Sequence, residues 1–282
     1  MMHCCPQSLP MSPMLTPDQT QPLAIVTGAS SGMGRCIATE LAGRGWRTLL
    51  ISRRTALLQQ LAVDLRGRAP SEAFPFDLAD TAGIAPAIGG FLAARSLKPA
   101  ALFNVAGFGV YVPFLSQSLE EQERLMRVNH FAAVEMIRVV LPGMLVRRRG
   151  HIISLASMST KVGPWGHAGY AASKCALASL TETLAAEHPA RQSGVHFSIV
   201  NPGIVSTAYF ESDSFKALWP RVEKRAIAPE RVARRSVDLL ERPRLEICVP
   251  RHYRFIEFVR AISPGLAHRI VTAESRPAPG RG

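Results

Sequence analysis

Leu23-Ala24-Ile25-Val26-Thr27-Gly28-Ala29-Ser30-Ser31-Gly32-Met33-Gly34 decides the reading of the fold. Four apolar residues run unbroken into a glycine-rich loop, so 23–26 is predicted as a buried strand. Residues 32–44 then read as a helix. Strand, glycine loop and helix in direct succession give a Gly-rich motif its meaning. Glycines let the backbone approach a pyrophosphate, and the helix amino end offers N–H groups and positive potential. A tight strand-to-helix turn without a ligand is the alternative for Gly28, Gly32 and Gly34.

The alternation continues outward from that stretch. Further strands are expected at 47–52, 73–76, 100–103, 152–155, 195–200 and 245–249. The 73–76 strand contains Pro75, which suits an edge. Helices are expected at 55–66, 81–95, 167–187 and 229–241. Ser118 and Glu121 form a capping box for a long helix reaching about Arg148. Strand and helix alternate from 22 to 250, which predicts one α/β domain built on a doubly wound parallel sheet. Ligands bind such sheets at the carboxyl ends of the strands, and Gly28, Asn104 and Ser157 fall there.

The chain has 282 residues, 47% of them hydrophobic, enough for a full core. No uninterrupted apolar run reaches the ~20 residues of a membrane span. Residues 1–21 hold several prolines and no basic start, and read as a disordered tail. The five cysteines form no CxxC pair and are odd in number. Reduced thiols and a cytoplasmic protein fit best, and Cys4 and Cys5 read as tail thiols rather than acylation sites. The eight histidines form no spaced ligand set, so no metal is assigned. The net charge of +12 is spread over separate helices, and Arg147-Arg148-Arg149 reads as a solvated helix end. No nucleic-acid signature accompanies the charge.

The chemistry sits in Tyr170-Ala171-Ala172-Ser173-Lys174. A Tyr and a Lys four apart share one helix face. A nearby ammonium favours the phenolate and makes the phenol a usable proton donor near neutral pH. The spacing alone is common; Ser157 upstream and the glycine loop give it weight. At the end of the second strand stand Ser52-Arg53-Arg54, with no carboxylate to accept from a ribose 2′-OH. Arg53 is read as a contact to a 2′-phosphate, Arg54 as either a second contact or a solvated loop cation, and Arg35 as added charge.

Thr27-Gly28-x-x-x-Gly32-x-Gly34, Asn104-Val105-Ala106-Gly107, Asn129, Ser157, Tyr170-x-x-x-Lys174 and Asn201-Pro202-Gly203 follow one another as they do in the classical short-chain dehydrogenases/reductases, which the chain resembles over about 22–250. Val105 departs from the pattern, where the family usually has a second Asn. The resemblance implies a Rossmann-type fold and a nicotinamide cofactor, read here as NADP(H) ahead of NAD(H). It implies proton transfer by Tyr170, with Lys174 lowering its pKa and holding the nicotinamide ribose. Ser157 would orient the substrate oxygen and Asn129 a relay water. Thr27, Gly28, Ser30, Ser31, Gly32, Met33 and Gly34, with Asn104, Ala106 and Gly107, would line the cofactor; Asp77 and Leu78 would meet its adenine, and Pro202, Gly203, Ile204 and Thr207 would clamp the nicotinamide amide.

The reaction expected is hydride transfer between nicotinamide and the carbonyl or alcohol of an apolar small molecule. Reduction of a carrier-bound 3-oxoacyl chain and a non-catalytic NADP-binding regulator are the alternatives. His167 is read as lining the pocket mouth or meeting solvent. Residues 209–225, with Tyr209, Phe210, Phe215, Leu218 and Trp219, are read as a lid over the substrate; Trp165 flanks the same site. A homodimer or homotetramer is expected from the resemblance. In 251–282 an amphipathic helix at 252–263 is followed by a basic, Pro-rich tail, with Pro264 ending the helix. Phe255, Ile256, Phe258, Val259 and Ile262 make its apolar stripe, and Arg254, Glu257 and Arg260 its other side. The stripe packs on the domain or a subunit partner, or it walls the substrate site and rests peripherally on a membrane.

Overall fold

The computed structural model describes residues 20–207, 215 and 219–276. The expectations for 1–19 with Cys4 and Cys5, for Tyr209, Phe210 and Leu218 of the lid, and for 277–282 lie outside the described residues. Seven strands form one sheet: β1 (Leu23–Thr27), β2 (Arg47–Ser52), β3 (Ser71–Pro75), β4 (Ala101–Asn104), β5 (Gly150–Leu155), β6 (Val195–Pro202) and β7 (Glu246–Val249). Their order is β3-β2-β1-β4-β5-β6-β7, and every pairing is parallel. The chain is therefore a single Rossmann-type α/β domain. All three of β1, β2 and β5 are buried on both faces: β1 is apolar from Leu23 to Val26, while β2 and β5 carry shorter apolar centres, Leu49 to Ile51 and Ile152 with Ile153, among buried polar residues.

Helices cover both faces. On one lie α1 (Gly32–Gly43), α2 (Thr55–Leu65) and, late in the chain, α6 (Pro229–Val237), packing Ile37, Leu41, Leu58 and Val232 against Val26, Leu50 and Phe103. On the other lie α3 (Thr81–Ala94), α4 (Leu119–Arg147) and α5 (Ala168–Glu187), with Ile88, Leu92, Met136 and Val140 against Ile25, Leu49 and Ile152. α4 is long and apolar enough to cross a membrane, yet Ala132, Met136, Ile137, Val140 and Met144 bury its inner face in the core. The Ser118 hydroxyl accepts from Glu121 N at 3.1 Å, as the capping pattern requires.

The sheet direction of winding reverses between β1 and its two neighbours, β2 and β4. That reversal opens a crevice beyond the carboxyl ends of the strands. Gly28, Asn104, Ser157 and Gly203 all lie at or just past those ends.

β3 begins two residues earlier than expected. The Thr48 hydroxyl donates to Ser71 Oγ at 2.8 Å and Glu72 pairs with Arg95 at 2.6 Å, so polar residues extend this edge strand. The expected tail after Pro264 is corrected. A second helix, α8 (Pro264–Ser275), follows α7 (Arg254–Ile262) directly. Pro264 sits at the first turn of α8, where its missing N–H costs nothing, and Ser263 caps it by accepting from Leu266 N.

Candidate active site

The glycine loop has the conformation its residues allow. Gly28 sits at φ +67° and Gly32 at φ +50°, where side chains are strained. A Cβ on Gly34 would stand 2.2 Å from Gly28 O, so only glycine lets α1 start this close to the turn. Thr27 is pinned beneath it. Its hydroxyl donates to Phe103 O and accepts from Val105 N and Ala106 N at 2.9 and 3.1 Å, filling its capacity inside the protein. Thr27 therefore holds the loop against the end of β4. Asn104, at that end, is buried with both amide atoms lacking a protein partner.

Arg54 reaches across the loop. Its Nε donates to Ser30 Oγ at 3.0 Å and its Nη2 to Ser31 Oγ. Arg53 is exposed, and Arg35 pairs with Asp64 at 3.7 Å. Sequence reasoning favoured Arg53 over Arg54; the structure sets Arg54 on the glycine loop. Thr207 lies over the same loop, its methyl 3.2 Å from where a Gly32 Cβ would stand. Asp77 Oδ1 accepts from Ala79 N at 3.0 Å, and Leu78 is buried beside Asn104 and Ala106.

Tyr170 and Lys174 share one face of α5, with Nζ 6.0 Å from the phenol ring centre. Lys174 is buried and donates to Leu155 O at 2.8 Å. Burial pushes its pKa down to about 8. Ser157 accepts from Ser159 N at 3.1 Å and caps the short turn after β5, which leaves its hydroxyl proton to be donated elsewhere.

Asn129 lies in a π turn, Arg127–Phe131, inside α4. π turns in α-helices are frequent at functional sites. Its Nδ2 donates to Phe108 O and to Ser173 Oγ, both at 2.9 Å, while Oδ1 accepts from Phe108 N at 3.0 Å. Gly107 is the meeting point: a Cβ there would stand 3.0 Å from Asn129 Oδ1 and 3.1 Å from Lys174 Nζ. The structure thus brings Asn129, Gly107 and Lys174 together. Ser173 joins the two helices, donating to Tyr170 O at 2.7 Å while accepting from Asn129.

Next to Tyr170 stands an aromatic wall. His167 lies 5.7 Å from the Tyr170 ring and 5.4 Å from Phe215, which stacks on Tyr111 at 5.7 Å. Trp165 meets Tyr111 edge-on at 5.2 Å. His167 is buried, not solvated, and burial lowers its pKa to about 4, so it is neutral at pH 7. The end of α8 closes this wall: Tyr111 OH donates to Ser275 O, and Trp165 N donates to Ser275 Oγ at 3.0 Å. Gly203 meets the C-terminal segment too, since a Cβ there would overlap the Tyr253 ring at 1.9 Å.

A family profile described as short chain dehydrogenase matches residues 22–216. The chain belongs to the classical short-chain dehydrogenases/reductases. A cattle (Bos taurus) relative named Dehydrogenase/reductase SDR family member 7B is 27% identical over 267 residues, covering 90% of this chain and 81% of that protein. A metagenomic short-chain oxidoreductase solved with NADP is 31% identical, covers 78% of this chain and 90% of its own, and has a TM-score of 0.66. A short-chain dehydrogenase/reductase from Burkholderia phymatum solved with NAD shares the fold, with a TM-score of 0.79 at 23% identity over 93% of this chain and 98% of its own. Structural neighbours in this oxidoreductase family therefore bind NAD or NADP, and the glycine loop of this chain, open where any Cβ would intrude, fits such a dinucleotide.

Ser173, Tyr111, Tyr253 and Ser275 were not singled out by sequence reasoning. Ser173 lies inside the Tyr170–Lys174 motif and was open to discovery as the residue one turn from Tyr170. Nothing local marks Ser275, which is 164 residues from Tyr111.

Proposed function

We propose that this protein is an NADPH-dependent reductase of ketones or aldehydes on apolar molecules, with alcohol oxidation as the reverse reaction at the same site. The observation that carries the reading is the placement of Tyr170 between Lys174 and the aromatic wall of His167, Phe215, Tyr111 and Trp165. The bound nicotinamide supplies the hydride. Tyr170 gives its phenolic proton to the carbonyl oxygen as the carbon is reduced, and Ser157 steadies that oxygen with its free hydroxyl proton. The Lys174 ammonium offsets the charge left on Tyr170. Asn129 Oδ1, one lone pair still free, and Lys174 face each other across Gly107, so a water between them would return the proton from solvent.

Arg54 on Ser30 and Ser31, with no carboxylate in Ser52-Arg53-Arg54, supports NADPH over NADH. Cys36, Cys175 and Cys248 are free thiols, which supports a reducing compartment such as the cytoplasm. A regulator without turnover would need neither the proton donor nor its buried ammonium.

Stopped-flow oxidation of NADPH with a panel of ketones tests the reading. Turnover is expected with aryl and long-chain ketones and to be weak with small polar ones. No oxidation with any member, while NADPH still binds, would favour the regulator instead.

A further inference from the structure

The α7–α8 pair carries its amphipathic pattern the wrong way round for a helix packed on its own domain. Two charged residues of α7, Glu257 and Arg260, face the body. Glu257 accepts from Cys248 Sγ at 3.3 Å and lies 3.8 Å from Lys161 Nζ, and Arg260 donates to Lys161 O. The apolar stripe is turned outward, with Phe255 68%, Phe258 61% and Ile262 70% exposed. Only Ile256 and Val259 of that stripe are half-buried. α8 continues the face, with Leu266 44% and Ile270 40% exposed, while Ala267 and Ser275 turn inward. Scattered exposed apolar residues are ordinary; five large ones on two consecutive helices are a patch with a purpose. Arg251, Arg254 and Arg269 are exposed on the same segment.

We infer that this face docks the protein on the surface of an anionic lipid bilayer. A helix with large apolar side chains on one side and flanking cations lies in the interface plane, the apolar groups entering the headgroup boundary. Anionic headgroups then meet the arginines, which neutral water-soluble partners would leave unmatched. A second copy of the chain is the poorer occupant. A two-fold contact sets the same patch against itself and would bring the arginines of one copy close to those of the other. α8 also holds Tyr111 and Trp165 through Ser275, so docking brings the aromatic wall next to the bilayer.

The test is flotation of the full chain with vesicles of phosphatidylcholine alone and with one-third phosphatidylserine. Binding to the anionic vesicles and weakening at high salt are expected. Phe255→Ser with Phe258→Ser, both at exposed positions and checked by melting, should lower the bound fraction about tenfold or more. Arg251→Glu with Arg254→Glu should do the same for anionic vesicles. Flotation requires no turnover, so it stands or falls separately from the carbonyl reductase reading. Absence of the full chain from the anionic vesicle fraction would overturn the inference, as would undiminished flotation of the Ser pair. A dimer that the Ser pair converts to monomer would assign the face to a second copy.

Discussion

Lys174 and Leu155 are joined by a hydrogen bond of 2.8 Å from the buried ammonium to the main-chain carbonyl at the end of β5. That bond ties α5 to the sheet and fixes the height of Tyr170 one turn away. It also keeps the ammonium where water cannot solvate it, which is why its pKa falls to about 8.

A pH dependence follows. Below about pH 8 Lys174 is charged and assists Tyr170; above it the assistance fades. The kcat/KM for ketone reduction should therefore decline through that value in the free enzyme. Lys174→Arg, if it folds, keeps its charge throughout and should move the decline to higher pH. A profile that stays flat well into the alkaline range would contradict this role for the ammonium.

Asn129 is held by Ser173, and Ser173 by Tyr170. Ser173→Ala removes the hydroxyl that accepts from Asn129 Nδ2 at 2.9 Å. The loss of one buried bond, about 1 kcal/mol, should lower kcat several-fold with little change in KM, and Ser173→Thr should recover part of it. Steady-state kinetics separates this positioning role from a merely structural one, which would change Tm and leave kcat alone.

The fold was legible where physics is local. β1 announces itself as an apolar run and β2 and β5 by apolar centres at Leu49 to Ile51 and at Ile152 with Ile153, because both faces are buried, and Ser118 marks the start of α4 because its hydroxyl must serve an unpaired N–H. The π turn at Asn129 was not legible, since a single widened turn shifts the register of α4 by one residue and carries no residue type of its own that marks it. α8 was hidden because Pro264 reads equally well as the end of one helix and the start of another. In the site, the glycine loop and the Tyr170–Lys174 pair were visible in the motifs. Trp165 and Phe215 were placed beside the site from the sequence; that Tyr111 and Ser275 join them was not legible, because they meet only through tertiary packing.

Cofactor choice should respond to Arg54 more than to Arg53. Arg54→Ala should raise the KM for NADPH by roughly 10-fold or more, the range of a lost charge-assisted bond, and leave NADH little changed. Arg53→Ala should have the smaller effect, since it is Arg54 that is bonded to the serines of the glycine loop. Equal kcat/KM for the two cofactors in the unaltered protein would refute the preference.

Acid should destabilise the fold through two buried histidines. Burial lowers His151 to about 3 and His167 to about 4, against an ordinary value of 6.5. The unfolded chain binds protons that the native one refuses, so stability from the neutral rings is present above 6.5 and lost as pH falls through the native values. His167→Phe cannot titrate and should remove roughly 3 kcal/mol of that loss between neutrality and pH 4. Denaturant melts at both pH values check it; an unchanged acid loss in the variant would show that His167 is not a source.

The central claim is that Tyr170 is the proton donor, and Tyr170→Phe tests it most directly. Single-turnover oxidation of NADPH, measured beside the Kd for NADPH from fluorescence, reads chemistry and binding separately. The account predicts a fall in the chemical step of about 10²–10⁴-fold with the Kd within a few-fold, because the phenol moves a proton without anchoring the cofactor. A variant that keeps more than about a tenth of the original rate would contradict it.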